Sequence, residues 1–182
     1  MLREHLGLFT DYYEFTMAQA YLLSGKAKTS SCFDYFFREN PFGGGYVIFA
    51  GLGDLLDALQ SFSFDAEDIK FLRKLGFEKR FLEYLKKFHF RGTIHSVREG
   101  EVVFPLEPIL RVEGDLIEAQ IIETLLLNIL NFESLIATKA SRLKLIAGGR
   151  RVIDFGLRRA QGLGGIHASK AAMIGGIDAT SN

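Results

Sequence analysis

The chain has 182 residues, of which 48% are hydrophobic and 24% are charged, and this balance excludes a disordered or collagen-like protein. Its 22 basic and 22 acidic residues give a net charge of zero, which argues against a surface that coats nucleic acid. The single cysteine excludes an internal disulfide, and no apolar stretch approaches the roughly 20 residues of a membrane span. We therefore expect a soluble, cytoplasmic protein without nucleic-acid or membrane partners.

The first part of the chain alternates between helical and strand-like patterns. Asp11 and Glu14 are typical of a capping pair that opens a helix, and Gly25 is typical of its end. Strand-like runs follow over 31–37 and 46–50, separated by a loop with one proline and three glycines. The 17 phenylalanines and the absence of tryptophan predict a core that is filled largely by phenylalanine rings.

The middle of the chain adds short helices, a β-rich segment and a long helical region. Amphipathic spacing predicts helices over 52–59, 65–76 and 81–88. Asp65 caps the second of these. From about residue 91 to residue 113 the pattern changes to short strands with glycine and proline between them. Asp115 then opens a helical region that reaches Gly148. Together these patterns predict a mixed α+β domain over residues 1–149.

The last segment, residues 150–182, has the pattern of a parallel βαβ unit. A short apolar strand over 151–155 precedes a glycine-rich loop, a helix over 166–174 and the start of another strand. A parallel sheet must be covered on both faces, yet the second strand begins just before Asn182. We therefore predict an α/β domain that starts at residue 150, and we expect the chain to be incomplete.

The densest candidate site lies between Asp154 and Gly162. Arg158 and Arg159 stand beside glycines, after a strand and before a helix, in a C-terminal segment with a net charge of +3. Guanidinium groups, glycine N–H groups and a helix N-terminus all suit an anionic ligand. The alternative is a solvated loop whose arginines pair with Asp154 or with another acid.

Four parts of the sequence resemble the nicotinate phosphoribosyltransferase family in order and in approximate spacing. They are residues 8–21, 37–52, 154–162, and 169–172 taken with 175–182. The third of them reads Asp-Phe-Gly-Leu-Arg-Arg-Ala-Gln-Gly. The resemblance covers essentially the whole chain, and four motifs in register make it specific.

The resemblance implies an enzyme that condenses nicotinate with phosphoribosyl pyrophosphate to nicotinate mononucleotide, coupled to ATP hydrolysis through a phosphorylated histidine. It implies Mg²⁺ with the phosphates, a homodimer with active sites at the subunit interface, and a fold of the α/β class. In that fold, an α+β N-terminal part precedes the first strand–helix unit of an irregular α/β barrel, which is incomplete here. The phosphorylated histidine is expected beyond Asn182, so the chain alone is expected to be inactive.

The resemblance also assigns roles to aromatic and arginine side chains. Tyr13 resembles the tyrosine that reaches from the partner subunit to stack on the pyridine ring, and Phe155 resembles the aromatic on the other face. Arg158 resembles an arginine that holds phosphate or the nicotinate carboxylate, and Arg159 is a weaker match. The alternatives are a buried core ring for Tyr13 and ordinary strand-end packing for Phe155.

Three further residues are candidates for substrate binding. Asp178 and Thr180 lie where a second barrel strand would deliver side chains to the active face, although turn stabilisation is the alternative for Asp178. Arg38 precedes a glycine-rich loop that could face phosphate, with a structural turn as the alternative. Thr138, Lys139 and Arg142 lie late on the long helix, where a solvated face is expected, with contact of one of them with a substrate as the alternative. No metal-ligand spacing is evident, and the histidines are expected to be surface or structural residues, namely His5, His89, His95 and His167.

The sequence leaves three alternative functions open, namely two other enzymes and one non-catalytic role. The long helix also faintly resembles that of quinolinate phosphoribosyltransferase, over 123–128 and 136–138, and a nicotinamide-specific relative is the other rival. The segments 10–13 and 37–42 favour the nicotinate enzyme. A chain without the remaining barrel strands could instead be a dimerising or partner-binding piece.

Overall fold

The chain divides into two compact units in the computed structural model, which describes residues 5–182. The first unit contains the described residues up to Asp34, Asp54–His95 and Arg111–Leu127, and the second contains Tyr35–Gly53, Ser96–Leu110 and Asn128–Asn182. The predicted boundary between residues 149 and 150 follows the order of sequence motifs instead, and it stays a prediction.

The described elements follow the predicted order along the chain. The helices are α1 (Tyr12–Leu23), α2 (Leu52–Ser61), α3 (Ala66–Lys74), α4 (Lys79–Leu85), α5 (Leu116–Ile121), α6 (Glu123–Ala147) and α7 (Gly164–Ile174). The strands are β1 (Ser30–Tyr35), β2 (Val47–Ile48), β3 (Thr93–Ser96), β4 (Val102–Val103), β5 (Leu110–Asp115), β6 (Ile153–Asp154) and β7 (Ala179–Thr180). The long helical region is divided at Ile122, and β2 and β6 are shorter than predicted. In the part of the chain that is described, no helix has the length and apolar character needed to cross a bilayer.

Three small sheets organise the strands. One has the strand order β1-β5-β3, and β2 pairs with β4 in an antiparallel ladder that aligns Val47 with Val103. The third is the parallel pair of β6 and β7, with Ile153 opposite Ala179. The parallel βαβ unit predicted from the sequence is therefore confirmed, with α7 as its crossover helix.

Phenylalanine rings fill the core of the first unit, as the composition predicts. Their ring centroids lie 5.6–6.0 Å apart in tilted or edge-on pairs. The rings in this cluster are Phe15, Phe62, Phe64, Phe77, Phe81 and Phe88, and all are buried. Edge-on aromatic pairs add about 0.5–1.5 kcal/mol each beyond their area burial, so this cluster stabilises the unit that carries α1.

Both predicted helices begin after the predicted N-cap residue, but only one of these residues makes the capping hydrogen bonds. Asp65 accepts a hydrogen bond from the Asp68 N–H, and the Asp68 side chain accepts one from the Asp65 N–H, which completes a capping box at α3. At α1, the Asp11 side chain accepts no hydrogen bond from the helix. The Glu14 carboxyl is instead turned into the first unit, where it contacts the hydroxyl of Thr124.

Two buried hydroxyls on α6 hold strand β2 in the second unit. The Ile48 N–H donates to Thr138 Oγ1 over 2.9 Å, and the Thr138 hydroxyl donates to the Ser134 carbonyl over 2.6 Å. One turn earlier, Ser134 Oγ accepts from the Ala50 N–H at 3.1 Å. The expected solvated position for Thr138 is therefore wrong, because its side chain satisfies backbone groups that the two-residue ladder leaves unpaired.

Replacing Thr138 with valine is expected to lower the free energy of unfolding by about 1–2 kcal/mol, because a buried N–H group loses its acceptor while the shape is kept. Urea unfolding of the chain measures this change. Thr138→Ser keeps the hydroxyl and is the matched control. Equal urea midpoints for the two variants would show that the hydroxyl of Thr138 does not stabilise the strand.

The C-terminal end of α7 approaches α6 very closely in the second unit. A Cβ atom added at Gly175 would lie 2.2 Å from the Ala137 carbonyl oxygen and 2.8 Å from Ala140 Cβ. Ala171 and Ala172 on α7 are buried in the same region. Small residues on both helices therefore set the spacing that places α7, and with it the polypeptide between β6 and α7.

Candidate functional site

The parallel pair β6–β7 brings two polar strand ends side by side. Asp154 lies opposite Thr180, and the Ser181 N–H donates to the Asp154 carbonyl over 3.0 Å. Ligands of open α/β sheets bind at the carboxyl ends of parallel strands. The residues that follow β6 and β7 therefore form the candidate site.

The Asp154 carboxylate ties these strand ends to α7. Oδ1 accepts from the Gly156 N–H at 2.8 Å, and Oδ2 accepts from the Ser169 hydroxyl at 2.7 Å. The Asn182 amide donates to Oδ2 at 2.5 Å, and the Thr180 hydroxyl lies 3.3 Å away. These donors, with the Ser169 hydroxyl contributing most, lower the pKa of Asp154 below its usual value. The carboxylate thus fixes the start of the loop after β6.

That loop presents an aromatic ring and two positive charges to solvent. Phe155 is 61% exposed, so the strand-end packing alternative does not describe its surroundings. Arg158 and Arg159 are exposed in a short 3-10 turn at Leu157–Arg159. Among the described residues neither guanidinium has an ion-pair partner, and Asp154 is bonded elsewhere. An exposed ring beside unpaired arginines suits a flat anionic ligand.

The other strand-end candidates already have partners within the chain. Lys144 Nζ lies 2.7 Å from Asp178 Oδ1 and 2.5 Å from its Oδ2, and the Val152 N–H donates to Oδ2 at 2.7 Å. Lys144 is the largest cause of the lowered pKa of Asp178. The Thr180 hydroxyl contacts Asp154. These contacts favour the turn-stabilising alternative for Asp178, and the predicted substrate contacts of both residues stay predictions.

Arg38 lies in the loop between β1 and β2, and it is exposed. Arg142 of α6 contacts this loop. Its Nη1 donates to the Phe42 carbonyl over 3.0 Å, and the guanidinium lies 5.9 Å from the centre of the Phe42 ring. Phe42 has a φ of 59°, which an L-residue rarely adopts. The structural turn is therefore present, and the predicted contact of Arg38 with phosphate stays a prediction.

Tyr13 belongs to the first unit and is 48% exposed, whereas Phe15, Ala18 and Leu22 of the same helix are buried. The alternative that Tyr13 is a core ring therefore does not fit. Partial burial, followed by the nearby acid Glu123, raises the pKa of its hydroxyl. The ring is neutral and partly open to solvent, as a stacking surface requires.

The family model that describes the nicotinate phosphoribosyltransferase (NAPRTase) N-terminal domain matches residues 8–131. The chain belongs to the nicotinate phosphoribosyltransferase family. It is 46% identical over 180 residues to nicotinate phosphoribosyltransferase 1 of Arabidopsis thaliana, which covers 96% of this chain and 32% of that protein. The crystal structure of human nicotinic acid phosphoribosyltransferase has a TM-score of 0.89 at 40% identity, and it covers 95% of this chain and 36% of that one.

A more distant structural relative carries a different name. The crystal structure of nicotinate-nucleotide pyrophosphorylase from Pyrococcus furiosus has a TM-score of 0.75 at 25% identity, covering 97% of this chain and 38% of that chain. The mixed α/β architecture is therefore shared beyond the nicotinate phosphoribosyltransferases, but the likeness to them is closer. The chain spans about a third of the length of the curated relatives it matches.

The carboxylates near the strand ends do not fit the Mg²⁺ that the family implies. Mg²⁺ needs carboxylate oxygens free to coordinate it, whereas the oxygens of Asp154 and Asp178 are taken by hydrogen-bond donors. Elsewhere, ligand atoms of His5, Asp65 and Asp68 lie within 4.8 Å of one another, a group that sequence spacing did not reveal. The two aspartates already form the cap of α3, which accounts for their approach.

Three of the four histidines, all of which are predicted to be surface or structural residues, lie near a carboxylate. His5 Nδ1 contacts Asp68, and His167 Nδ1 lies 3.1 Å from Oε1 of the buried Glu133. His95 lies 3.9 Å from Glu113, at an exposed position. The contacts of His5 and His167 favour structural roles for these two, and the expectation for the other histidines stays a prediction.

Replacing Asp154 with asparagine is expected to loosen the loop after β6. The NH₂ group of the asparagine must then face either the Gly156 N–H or the donors from Ser169 and Asn182. In both orientations one hydrogen-bond donor faces another, and at least one hydrogen bond of the wild-type carboxylate is lost. Hydrogen exchange at the Gly156 amide is expected to become faster at neutral pH.

Because the folded pKa of Asp154 is lowered, the stability it contributes is present above about pH 4 and is lost as pH falls through the lowered value. The difference in the free energy of unfolding between wild type and Asp154→Asn should therefore become smaller in acid. A difference that is constant with pH would contradict this role of the Asp154 carboxylate.

Proposed function

We propose that this chain supplies the N-terminal third of a nicotinate phosphoribosyltransferase, which joins nicotinate to phosphoribosyl pyrophosphate and releases pyrophosphate. The observation that carries the proposal is the loop anchored by Asp154, with Phe155 and Arg158 exposed, in a chain of this family. The segment β6–α7–β7 would begin the irregular α/β barrel that carries the rest of the active site.

The chain's residues suit binding and orientation of a pyridine carboxylate. The Phe155 ring would pack on one face of the pyridine, and Arg158 would bind its carboxylate or a phosphate through paired N–H groups. Tyr13 of the partner subunit would cover the other face. The pyridine nitrogen then attacks the anomeric carbon of the ribose as the bond to pyrophosphate breaks, so positioning supplies much of the catalysis.

Several further properties come from the family resemblance and are proposed with the function. The enzyme would be a homodimer, would use ATP and Mg²⁺, and would act in the cytoplasm in the biosynthesis of pyridine nucleotides. The site for Mg²⁺ and the phosphorylated histidine would lie outside the residues described here. Arg159, Arg38 and Thr180 would add contacts to phosphate.

A chimera tests the proposed function directly. This chain replaces the matching segment of the Arabidopsis enzyme, and product formation is measured with nicotinate, nicotinamide and quinolinate. We expect product with nicotinate and none from the chain alone. A chimera that carries the matching segment of the human enzyme controls for tolerance of the graft. If that control is active and the chimera prefers quinolinate or nicotinamide, or makes no product, the proposed function is wrong.

The proposed dimer predicts that Tyr13 acts in trans. A Tyr13→Ala chimera and an Arg158→Ala chimera should each have little activity, but a mixed dimer contains one site in which both residues are intact. Mixing should therefore restore part of the activity after subunit exchange. Labelled subunits monitor the exchange. If exchange occurs without any recovery of activity, Tyr13 does not act across the interface.

A further inference from the structure

Glu14 is a fully buried acid that the proposed reaction does not use. It lies in the first turn of α1, beside Tyr13, and its exposed fraction is 0%. An ionised carboxylate loses its hydration on burial, and this loss is costly unless charged or hydrogen-bonded partners replace it. The groups that surround Glu14 therefore determine whether it carries a charge.

Two threonine hydroxyls supply the nearest polar contacts of Glu14. Thr10 Oγ1 lies 2.6 Å from Glu14 Oε2 and 2.9 Å from the Ile121 carbonyl oxygen. Thr124 Oγ1 lies 2.9 Å from Glu14 Oε1 and 3.2 Å from Asp11 Oδ2, and it accepts from the Asp11 N–H at 3.1 Å. Each hydroxyl has one proton to donate, so two protons face four acceptor oxygens.

A proton on Glu14 resolves this shortage. The protonated Oε2 donates to Thr10 Oγ1, which frees the Thr10 proton for the buried carbonyl of Ile121. Thr124 then donates to Glu14 Oε1. The one acceptor left over is the carboxylate of Asp11, which is exposed and can be hydrated by water. With an ionised Glu14, the buried Ile121 carbonyl would instead lose the Thr10 donor.

The charges around Glu14 also favour its neutral form. Asp11, which immediately precedes α1, and Glu123 at the start of α6 are the two acidic groups that act on Glu14. Burial is the largest cause of the raised pKa of Glu14, and the two acids raise it further, whereas the hydrogen bonds with Thr10 and Thr124 lower it.

We propose that Glu14 is a neutral carboxylic acid at neutral pH and that its proton fixes the first turn of α1, and with it the position of Tyr13. Glu14 is then a positioning residue, because it acts through Tyr13 and does not touch the substrate. The link to substrate rests on the proposed function, whereas the presence of the proton does not.

Infrared difference spectroscopy of the whole chain tests for the proton. The C=O stretch of a neutral carboxylic acid is well separated from the bands of ionised carboxylates. A spectrum of Glu14→Gln subtracted from that of wild type at pH 7 is expected to show this acid band, and the band should disappear at higher pH. If the difference spectrum at pH 7 contains only ionised carboxylate bands, the proposal is wrong.

The pH dependence of melting gives a second, independent measurement. A folded pKa above the unfolded value of about 4.5 stabilises the protein at low pH, and this contribution is lost as pH rises to the folded pKa. Glutamine keeps both hydrogen bonds without titrating. The melting temperature of wild type should therefore fall relative to Glu14→Gln by roughly 3–5 °C per pH unit, and the fall should continue past pH 7. A difference that levels off below pH 6 would contradict the proposal.

The chimera links the proton to Tyr13. The KM for nicotinate is expected to rise with pH in wild type, in parallel with the loss of the acid band, and to rise less in Glu14→Gln. Identical pH profiles would show that the proton does not position Tyr13. A chimera that is inactive with nicotinate would refute the proposed function alone, because the infrared and melting measurements still decide the state of Glu14.

Discussion

Replacing Arg158 with alanine in the chimera is expected to weaken binding of the anionic substrate by on the order of tenfold to a hundredfold. A hydrogen bond to a charged group contributes about 1.5–3 kcal/mol, and Arg158 has no competing ion-pair partner among the described residues. Titration of the purified chimera with nicotinate and with phosphoribosyl pyrophosphate measures both affinities.

Arg98 provides the matched control for this experiment. It is also an exposed arginine of the second unit, so Arg98→Ala makes the same change of charge at a residue that does not belong to the loop after β6. We expect its affinities to stay within error of wild type. If Arg158→Ala also left both affinities unchanged, the anion-binding role of the loop would be wrong.

Replacing Gly175 with alanine is expected to lower the free energy of unfolding by about 3 kcal/mol, at the upper end of the usual overpacking cost. The added Cβ would lie 2.2 Å from the Ala137 carbonyl oxygen, so the backbone of α6 or α7 must shift. Urea unfolding of the chain measures the change. Gly149→Ala is the control, because no atom lies within 4 Å of its added Cβ. Equal urea midpoints for the two variants would show that the helices are not in contact at Gly175.

Local sequence patterns were sufficient for much of the fold. The helical and strand-like periods, the helix cap at Asp65 and the parallel βαβ unit at the C-terminal end all depend on neighbouring residues, and the structure bears them out. The arginine loop could also be found locally, because a strand, glycines and paired arginines follow one another. Asp154 is the nearby acid that could have paired with Arg158. Because Asp154 is hydrogen-bonded to Ser169 instead, Arg158 stays exposed and without an ion-pair partner among the described residues.

The failures concern polar groups whose partners are distant in sequence. Glu14 has the spacing of a capping residue, but its partner Thr124 is 110 residues away. Thr138 has the polarity of a solvated position, yet it accepts from the Ile48 N–H, 90 residues away. Local spacing cannot reveal such contacts. A hydroxyl four residues from another on an otherwise apolar helix face is the one signal that could have indicated burial.

The anchoring network was the main omission at the candidate site. The sequence predicts Asp154 only as an ion-pair partner for the arginines, and it predicts no separate role for Ser169 or Asn182. Their side chains meet because β6 and β7 are parallel and α7 crosses between them. The sequence signal for this arrangement consists of an acid at the end of a strand, a serine in the next helix and an asparagine after the next strand.

A crystal structure of the chimera with nicotinate mononucleotide bound tests the central claim most directly. We expect the pyridine ring to pack against Phe155 with ring centres about 4.5–7 Å apart, and an anionic group of the product to bond with Arg158. The loop should remain attached to the Asp154 carboxylate. Product bound away from Phe155 and Arg158 would contradict the claim that this loop forms the nicotinate site.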